Sequence, residues 1–317
     1  MRKTISLVMA TYNGGHYLKE QLDSIYNQTL VPDEVLVCDD CSNDNTAAIL
    51  SEYAKEKGLR YEINSKSLGV NENFYKVLSL ASCDYVAICD QDDVWLPEKV
   101  ETTYIKLCEI DDGRPCVVSS LCNHIDSKGK PVSNLKDKAD TFGFQATYFC
   151  KESSQGCSLM MNRSLLAKVL DKKVETKDII YDGFISFTAA TLGHKYNIGK
   201  RLMLYRHHNN NVIAKASDGS EKIRYRVLRK DTLGLLFPNK RLKLFSLLLD
   251  IYKDEIKENE ILSFLKKADK LYRNYNFLNE LLFIISLNEI SFFKRIETIL
   301  YSTTIHILKN VINEKTI

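Results

Sequence analysis

No apolar run in the sequence reaches the ~18 residues that a bilayer-spanning helix requires, so no transmembrane helix is expected. Internal repeats and low-complexity tracts are absent too. There is no strong excess of either charge: 44 basic side chains face 41 acidic ones, and no nucleic-acid partner is expected. The N-terminus, MRKTISLVMATYNGG, starts like a secretory signal, but its apolar stretch is short and runs into a turn. A cytoplasmic protein is the expectation. The nine cysteines agree with it. Their number is odd, and Cys38, Cys83, Cys89 and Cys116 fall in predicted strands, which suits small reduced core residues better than disulfides.

The 317 residues are 44% hydrophobic and 27% charged, an ordinary globular balance. The charge is unevenly spread. Residues 221–317 carry 18 basic and 12 acidic side chains, whereas the rest is slightly acidic. That basic region is helical in pattern from Asp218 onward. It points to a membrane surface, an acidic partner or a homodimer contact, against a plain solvated face.

The stretch Ala81–Lys99 organises the chain. Tyr85–Cys89 reads as a buried strand, ending abruptly in Asp90-Gln91-Asp92-Asp93. Pro97 suits the first turn of a helix running towards Cys108. Carboxylates crowded at the end of a buried strand repel one another and resist desolvation. A divalent cation that itself grips phosphate oxygens removes that conflict. Upstream, predicted strands at Ile5–Met9, Glu34–Cys38 and Tyr61–Asn64 alternate with amphipathic helices. The alternation predicts an α/β fold with a mostly parallel sheet. Ligands of such sheets bind at strand carboxyl ends. Thr11-Tyr12-Asn13, Asp39-Asp40 and Asp90–Asp93 all fall there.

Later segments are less regular. Val117–Ile125 with Pro131–Val132 reads as a hairpin and Leu159–Met161 as a strand. Arg163–Leu170 and Gly183–Leu192 read as helices, and Tyr196–Ile198 and Met203–Tyr205 as two short strands. The polar run Arg206–Asn211 closes this half. Helical periods follow over Ile261–Tyr275 and Ile296–Val311.

Taken together, VMATYNGGHYLKEQLDSIYNQT, EVLVCDDCSNDNT, LGVNENF and DYVAICDQDDVWLPEK closely resemble the family 2 glycosyltransferases, over roughly residues 4–108. YDGFISFTAATLG and LMLYRHHNNNVI resemble, more loosely, the acceptor half of the bacterial polysaccharide branch, including rhamnosyltransferase-like members. Beside the C-terminal helical extension that the pattern after Asp218 predicts, the resemblance implies a Rossmann-like, A-type nucleotide-sugar fold. Its parts would be a nucleotide-sugar half (1–108), an acceptor half (109–217) and a helical region (218–317). It also implies inverting transfer from a dTDP- or UDP-linked sugar, helped by Mg²⁺ or Mn²⁺, to a saccharide or lipid-linked acceptor in cell-envelope polysaccharide synthesis.

Residue by residue, the resemblance puts Thr11 and Tyr12, with Asn13, at the base pocket, and Asp39 or Asp40 on the pyrimidine ring N–H. Asp90 and Asp92 match the Asp-x-Asp motif, with Asp93 leaving the register open by one position, and Gln91 lies between them. Asp182 matches the general base. An acceptor hydroxyl must lose its proton as it attacks, which a placed carboxylate can accept. A helix N-cap is the structural alternative for Asp182, and Asp178 its nearest rival as base. His208, or His207, fits a histidine that reaches metal or diphosphate, and Arg206 could neutralise phosphate. Lys66 and Asn73 are further nucleotide-site candidates. Trp95 either stacks near the sugar or anchors the loop in the core. Gly183-Phe184 departs from the aromatic pair that many relatives carry after the base. A sugar-phosphate nucleotidyltransferase and a non-catalytic membrane scaffold are the rival readings. The first normally needs a Gly-rich basic loop, of which Gly14-Gly15-His16 is a poor version.

Overall fold

The structure is a computed structural model describing residues 2–133, 136–137, 139–142, 155–172, 180–208 and 240–274. It divides into two compact units, residues 1–211 and 212–317. In the first unit, strands β1 (Ile5–Thr11), β2 (Glu34–Asp39), β3 (Arg60–Ile63) and β4 (Tyr85–Cys89) alternate with helices α1 (Leu18–Tyr26), α2 (Thr46–Lys57) and α3 (Val70–Leu80). β4 is buried along its whole length and β1 nearly so, as apolar runs covered on both faces should be. Each fully buried Ile or Leu there contributes about 1.5–3 kcal/mol, so this pair forms the firm centre of the frame. α1 buries Leu18, Gln21, Leu22 and Ile25 at helical spacing. α2 closes at Gly58, whose φ of 72° is the left-handed conformation that glycine adopts freely.

After β4 come β5 (Val94–Trp95), α4 (Lys99–Ile110), the hairpin β6 (Cys116–Ile125) with β7 (Pro131–Ser133), and β8 (Thr141–Phe142). Then follow a tight turn at Gly156–Ser158, β9 (Leu159–Asn162), α5 (Arg163–Asp171), α6 (Tyr181–Leu192) and β10 (His194–Arg206). The sheet order is β3-β2-β1-β4-β9-β6-β10-β5, with β7 on β6 and β8 on β10. β1, β2, β3 and β4 pair in parallel, as do β6 and β10, and β9 joins the two groups antiparallel to both β4 and β6. The carboxyl ends of β1, β2, β4, β6 and β10 therefore face one edge. The strand order reverses between β1 and β4, where ligands of such sheets bind.

Three expectations change. The two short strands expected at 196–205 are one 13-residue strand, β10, bent by register shifts between Ile198 and Arg201 and between Arg201 and Met203. Val94-Trp95 forms a short strand ahead of the helix expected from Pro97. It pairs antiparallel with Leu204 and Met203, tying the acidic loop to the far half of the sheet. Pro97 consequently lies before the helix, which begins at Lys99. Cys83 is in a bend outside the strands, and the eight described cysteines are all free.

The second unit contains α7 (Lys240–Tyr252) and α8 (Asn259–Arg273). α8 buries Ile261, Phe264, Leu265, Ala268 and Leu271, the stripe its sequence predicts, and Phe245 meets Phe264 edge to face. Among the described residues no helix is long and apolar enough to cross a membrane. Asp178, Asn209–Asn211, Tyr275 and the helix expected over 296–311 lie outside the described residues.

Candidate active site

The β1–α1 loop is strapped down from two sides. The Gln91 side chain donates from Nε2 to Tyr12 O (3.1 Å) and accepts from Tyr12 N at Oε1 (2.9 Å). Gly14 leaves the room: a Cβ there would lie 2.2 Å from Gln91 Oε1. From the other side, Asn13 N donates to Ser42 Oγ, Gly14 N to Thr46 Oγ1 and Gly15 N to Asp44 Oδ2. Asn13 itself takes a left-handed φ of 48°. Tyr12 is left 56% exposed on this rigid loop, an aromatic face open to a ligand. Gln91, expected at the nucleotide, instead spends its amide on the Tyr12 backbone. Ser42, Asp44 and Thr46 were not foreseen. Their signal was the turn-rich Ser-Asn-Asp-Asn-Thr run.

Asp39 and Asp40 separate in role. Asp39 is buried, accepting from Thr11 Oγ1 (2.7 Å) and Ser42 Oγ (2.6 Å) at Oδ1 and from Ser42 N (2.9 Å) at Oδ2. Asp40 accepts from Leu68 N, Gly69 N, Ser67 Oγ and Asn64 Nδ2. Burial pushes its carboxyl up, but these donors outweigh burial and hold it below the usual range. Asp40 therefore pins the loop that carries Lys66, which is itself exposed. Asn73 is a correction: buried, it donates to Cys38 O and accepts from Asn64 Nδ2, a brace beneath β2. Cys38 and Cys41 have C-x-x-C spacing around the two acids. Cys41 Sγ instead donates to Asn64 O, and burial pushes the Cys38 thiol up to about 11.

The acidic loop faces the end of β10. Asp92 Oδ2 lies 2.7 Å from His208 Nε2, with both side chains largely shielded, while His207 Nε2 turns to His124 Nδ1 at 2.7 Å. Of the two histidines, His208 is the one brought to the acids. Asp93 is fully buried. Its Oδ1 accepts from Arg206 N (3.0 Å), and its Oδ2 has no hydrogen-bond partner among the described residues. Burial, then the charges of Asp90 and Asp92, push its carboxyl well up. Asp90 is pushed up to about 7, by burial first and Asp92 second, with Asp182 adding. Arg206 is 2% exposed and donates to Glu20 Oε2 (2.6 Å) and Asp92 O (2.9 Å). Expected at phosphate, it is instead a buried rivet under the loop. Trp95 is a core aromatic with the buried Lys99 Nζ 3.8 Å above its ring, so the sugar-stacking alternative falls. Burial pulls Lys99 down to about 8.

These residues fit a hard divalent cation. Three carboxylates share the site, and one has an orphaned buried oxygen. One imidazole stands against Asp92. Cys157 is close enough to join Asp90 and Asp93, but burial and those two charges push its thiol well up. What remains is oxygen plus a single imidazole nitrogen, a donor set that suits Mg²⁺ or Mn²⁺ better than a thiolate-seeking metal.

Asp182 stands one residue inside α6. The cap position is Ile180, so the alternative reading of Asp182 as the N-cap does not hold. Asp182 Oδ2 accepts from Gly156 N (3.2 Å) and Oδ1 from Gly183 N (2.6 Å). Burial pushes it up to about 6, against the pull of those two N–H groups and Lys195. Its charge reaches Asp90, so base candidate and acidic loop share one neighbourhood. Phe184, at the departing position, is buried in the core. Tyr181 stacks on Phe74 at 4.0 Å, and its hydroxyl takes the space a Gly156 side chain would need. Neither Tyr181 nor Gly156 was legible beforehand.

Comparison with known proteins matches residues 6–170 to the family described as Glycosyl transferase family 2. A dTDP-rhamnosyl transferase of Shigella flexneri, RfbG, is 31% identical over 218 residues, 65% of this chain and 73% of that protein. An uncharacterized glycosyltransferase of Methanocaldococcus jannaschii is 31% identical over 63% of this chain and 69% of its own length. Among solved structures, S. aureus TarS 1-349 with UDP-GlcNAc superposes with a TM-score of 0.56 at 17% identity, covering 89% of this chain and 79% of that one. The mannosyltransferase PcManGT of Pyrobaculum calidifontis, in complex with GDP-Man and Mn²⁺, gives 0.52 at 14%, covering 100% and 84%.

Proposed function

The chain belongs to glycosyl transferase family 2, and on that footing we propose that it moves a sugar from a dTDP- or UDP-linked donor to a saccharide acceptor with inversion. The observation that carries this reading is Asp182. Its carboxyl is pushed up to about 6 and lies within electrostatic reach of Asp90, in the loop that also carries Asp92. A base near the working pH combines an available lone pair with real proton affinity. Tyr12 offers its ring to the base, and Asp39 its remaining carboxylate lone pair to the pyrimidine N–H. Asp92 and His208 would hold the divalent cation, Mg²⁺ or Mn²⁺. When bound, that cation neutralises charge on the departing diphosphate. Asp182 takes the proton from the acceptor hydroxyl as it attacks the anomeric carbon opposite the diphosphate. A lipid-linked polysaccharide precursor at the inner membrane face is the acceptor class that fits the basic C-terminal region.

The donor is tested by incubating the protein with Mn²⁺ and a panel of dTDP-, UDP- and GDP-sugars, reading both hydrolysis and thermal stabilisation. Stabilisation by a pyrimidine diphosphate that disappears with EDTA is the expected result. Preference for GDP, or no metal dependence, would overturn the base and metal assignments respectively.

A further inference from the structure

We propose that α1 positions the metal-binding histidine: Tyr17 and Glu20, acting through Arg206, hold His208 against Asp92. The inference rests on the reading of Asp92 and His208 as metal ligands. His208 lies two residues beyond the end of β10, one past His207, whose N–H still donates to Ile125 O at 2.8 Å. Its side chain meets Asp92 and the Tyr17 ring at the start of α1.

The Tyr17 ring is 4.9 Å from the His208 ring, tilted 33°, and 4.7 Å from the guanidinium carbon of Arg206. Arg206 in turn bonds Glu20 on the same helix, the Asp92 carbonyl and, through its backbone, Asp93. One rigid circuit thus runs Tyr17–His208–Asp92–Arg206–Glu20. Tyr17 cannot drift, because its N–H and that of Leu18 both donate to Gly14 O at 3.0 Å, and its own carbonyl starts the helix by accepting from Gln21 N. Gly14 belongs to the loop that Gln91 locks. The loop offered to the nucleotide base and the ligand offered to the metal therefore hang on the same turn. Removing an outer partner of a metal ligand typically weakens metal binding ~10–100-fold. A buried guanidinium without its carboxylate tends to shift, taking its neighbours with it.

The test is Mn²⁺ binding by the full chain with UDP or dTDP present, followed through the electron paramagnetic resonance signal of free Mn²⁺. Tyr17→Ala and Glu20→Gln should each weaken binding about tenfold or more. Tyr17→Phe, which keeps the ring, should stay within about twofold. Nucleotide affinity in EDTA should not change with Glu20→Gln, whereas general damage to the fold would lower it. In a His208→Ala background Tyr17→Ala should cost nothing further, since its effect passes through the missing ring. Should Tyr17→Ala not fold, Tyr17→Leu and Glu20→Gln on the helix surface carry the same test. Parent-like Mn²⁺ binding in these variants, or a full Tyr17→Ala effect without His208, would overturn the inference while leaving the metal reading intact. Failure of the parent protein itself to take up Mn²⁺ would overturn both.

Discussion

Asp92 and His208 are 116 residues apart in sequence and 2.7 Å apart in the fold. The contact exists because β5 pairs with β10, which brings the acidic loop over the end of the last strand. Asp92→Asn should abolish Mn²⁺ binding and turnover while leaving the melting temperature within a few degrees. His208→Ala should weaken Mn²⁺ binding by more than the ~10–100-fold typical of losing a ligand's outer partner, but retain measurable transfer at saturating metal, because Asp92 remains. Equal loss in both variants would instead make His208 as necessary to metal binding as Asp92.

Asp182 gives a pH profile. The base works only when deprotonated, so kcat/KM should rise with pH through about 6 and level off above 7. Asp182→Asn should remove the limb together with nearly all activity. The sign for stability is the reverse. A carboxyl raised above its unfolded value destabilises the fold once it ionises, fully so above its folded pKa. Asp182→Asn should therefore be more stable than the parent at pH 8, by about 3 kcal/mol, with the gap closing between pH 6 and 4. Melting curves across that range check it.

Asp39 and Asp40 are adjacent in sequence, and the structure predicts opposite phenotypes. Asp40 serves Leu68, Gly69, Ser67 and Asn64. Asp40→Asn turns one acceptor into a donor facing donors, which should cost about 1–3 kcal/mol of stability. Because the carboxyl is held below its usual range, its own contribution is present above pH 4 and lost as pH falls through the folded pKa. Asp39→Asn should chiefly weaken pyrimidine nucleotide binding. Denaturant melts and nucleotide titrations on both variants separate the two.

Much of this frame was legible because parallel strands announce themselves. Tyr85–Cys89 is a continuous apolar run that stops at charge, and its boundaries agree with the structure to the residue. Strand ends could be read, so Thr11, Asp39 and the Asp90–Asp93 loop could be placed on one edge. The two-residue β5 could not, since Val94-Trp95 is too short to show a period. β10 reads as two short strands because its register shifts break the alternation of buried side chains. Partnerships across the sheet were the hardest. Nothing local tells that Arg206 meets Glu20, 186 residues away, and so is buried and not offered to phosphate. Which neighbour of an acidic pair points to ligand and which to scaffold is likewise set by the loop that folds back, as for Asp40.

Gly14 tests the rigidity of the base-binding loop. A methyl group there would lie 2.2 Å from Gln91 Oε1, so the Gln91 side chain would have to leave. Leaving breaks both of its bonds to the Tyr12 backbone. Gly14→Ala should therefore cost about 1–3 kcal/mol of stability and loosen the loop, raising the Kd for donor nucleotide several-fold. Gln91→Ala should do much the same by a different route, since it deletes the clamp directly. The two changes share one mechanism, so the double variant should be hardly worse than Gln91→Ala alone. Additive losses across this cycle would mean that Gly14 is needed for its backbone, and that the clamp on Tyr12 is not what orders the loop.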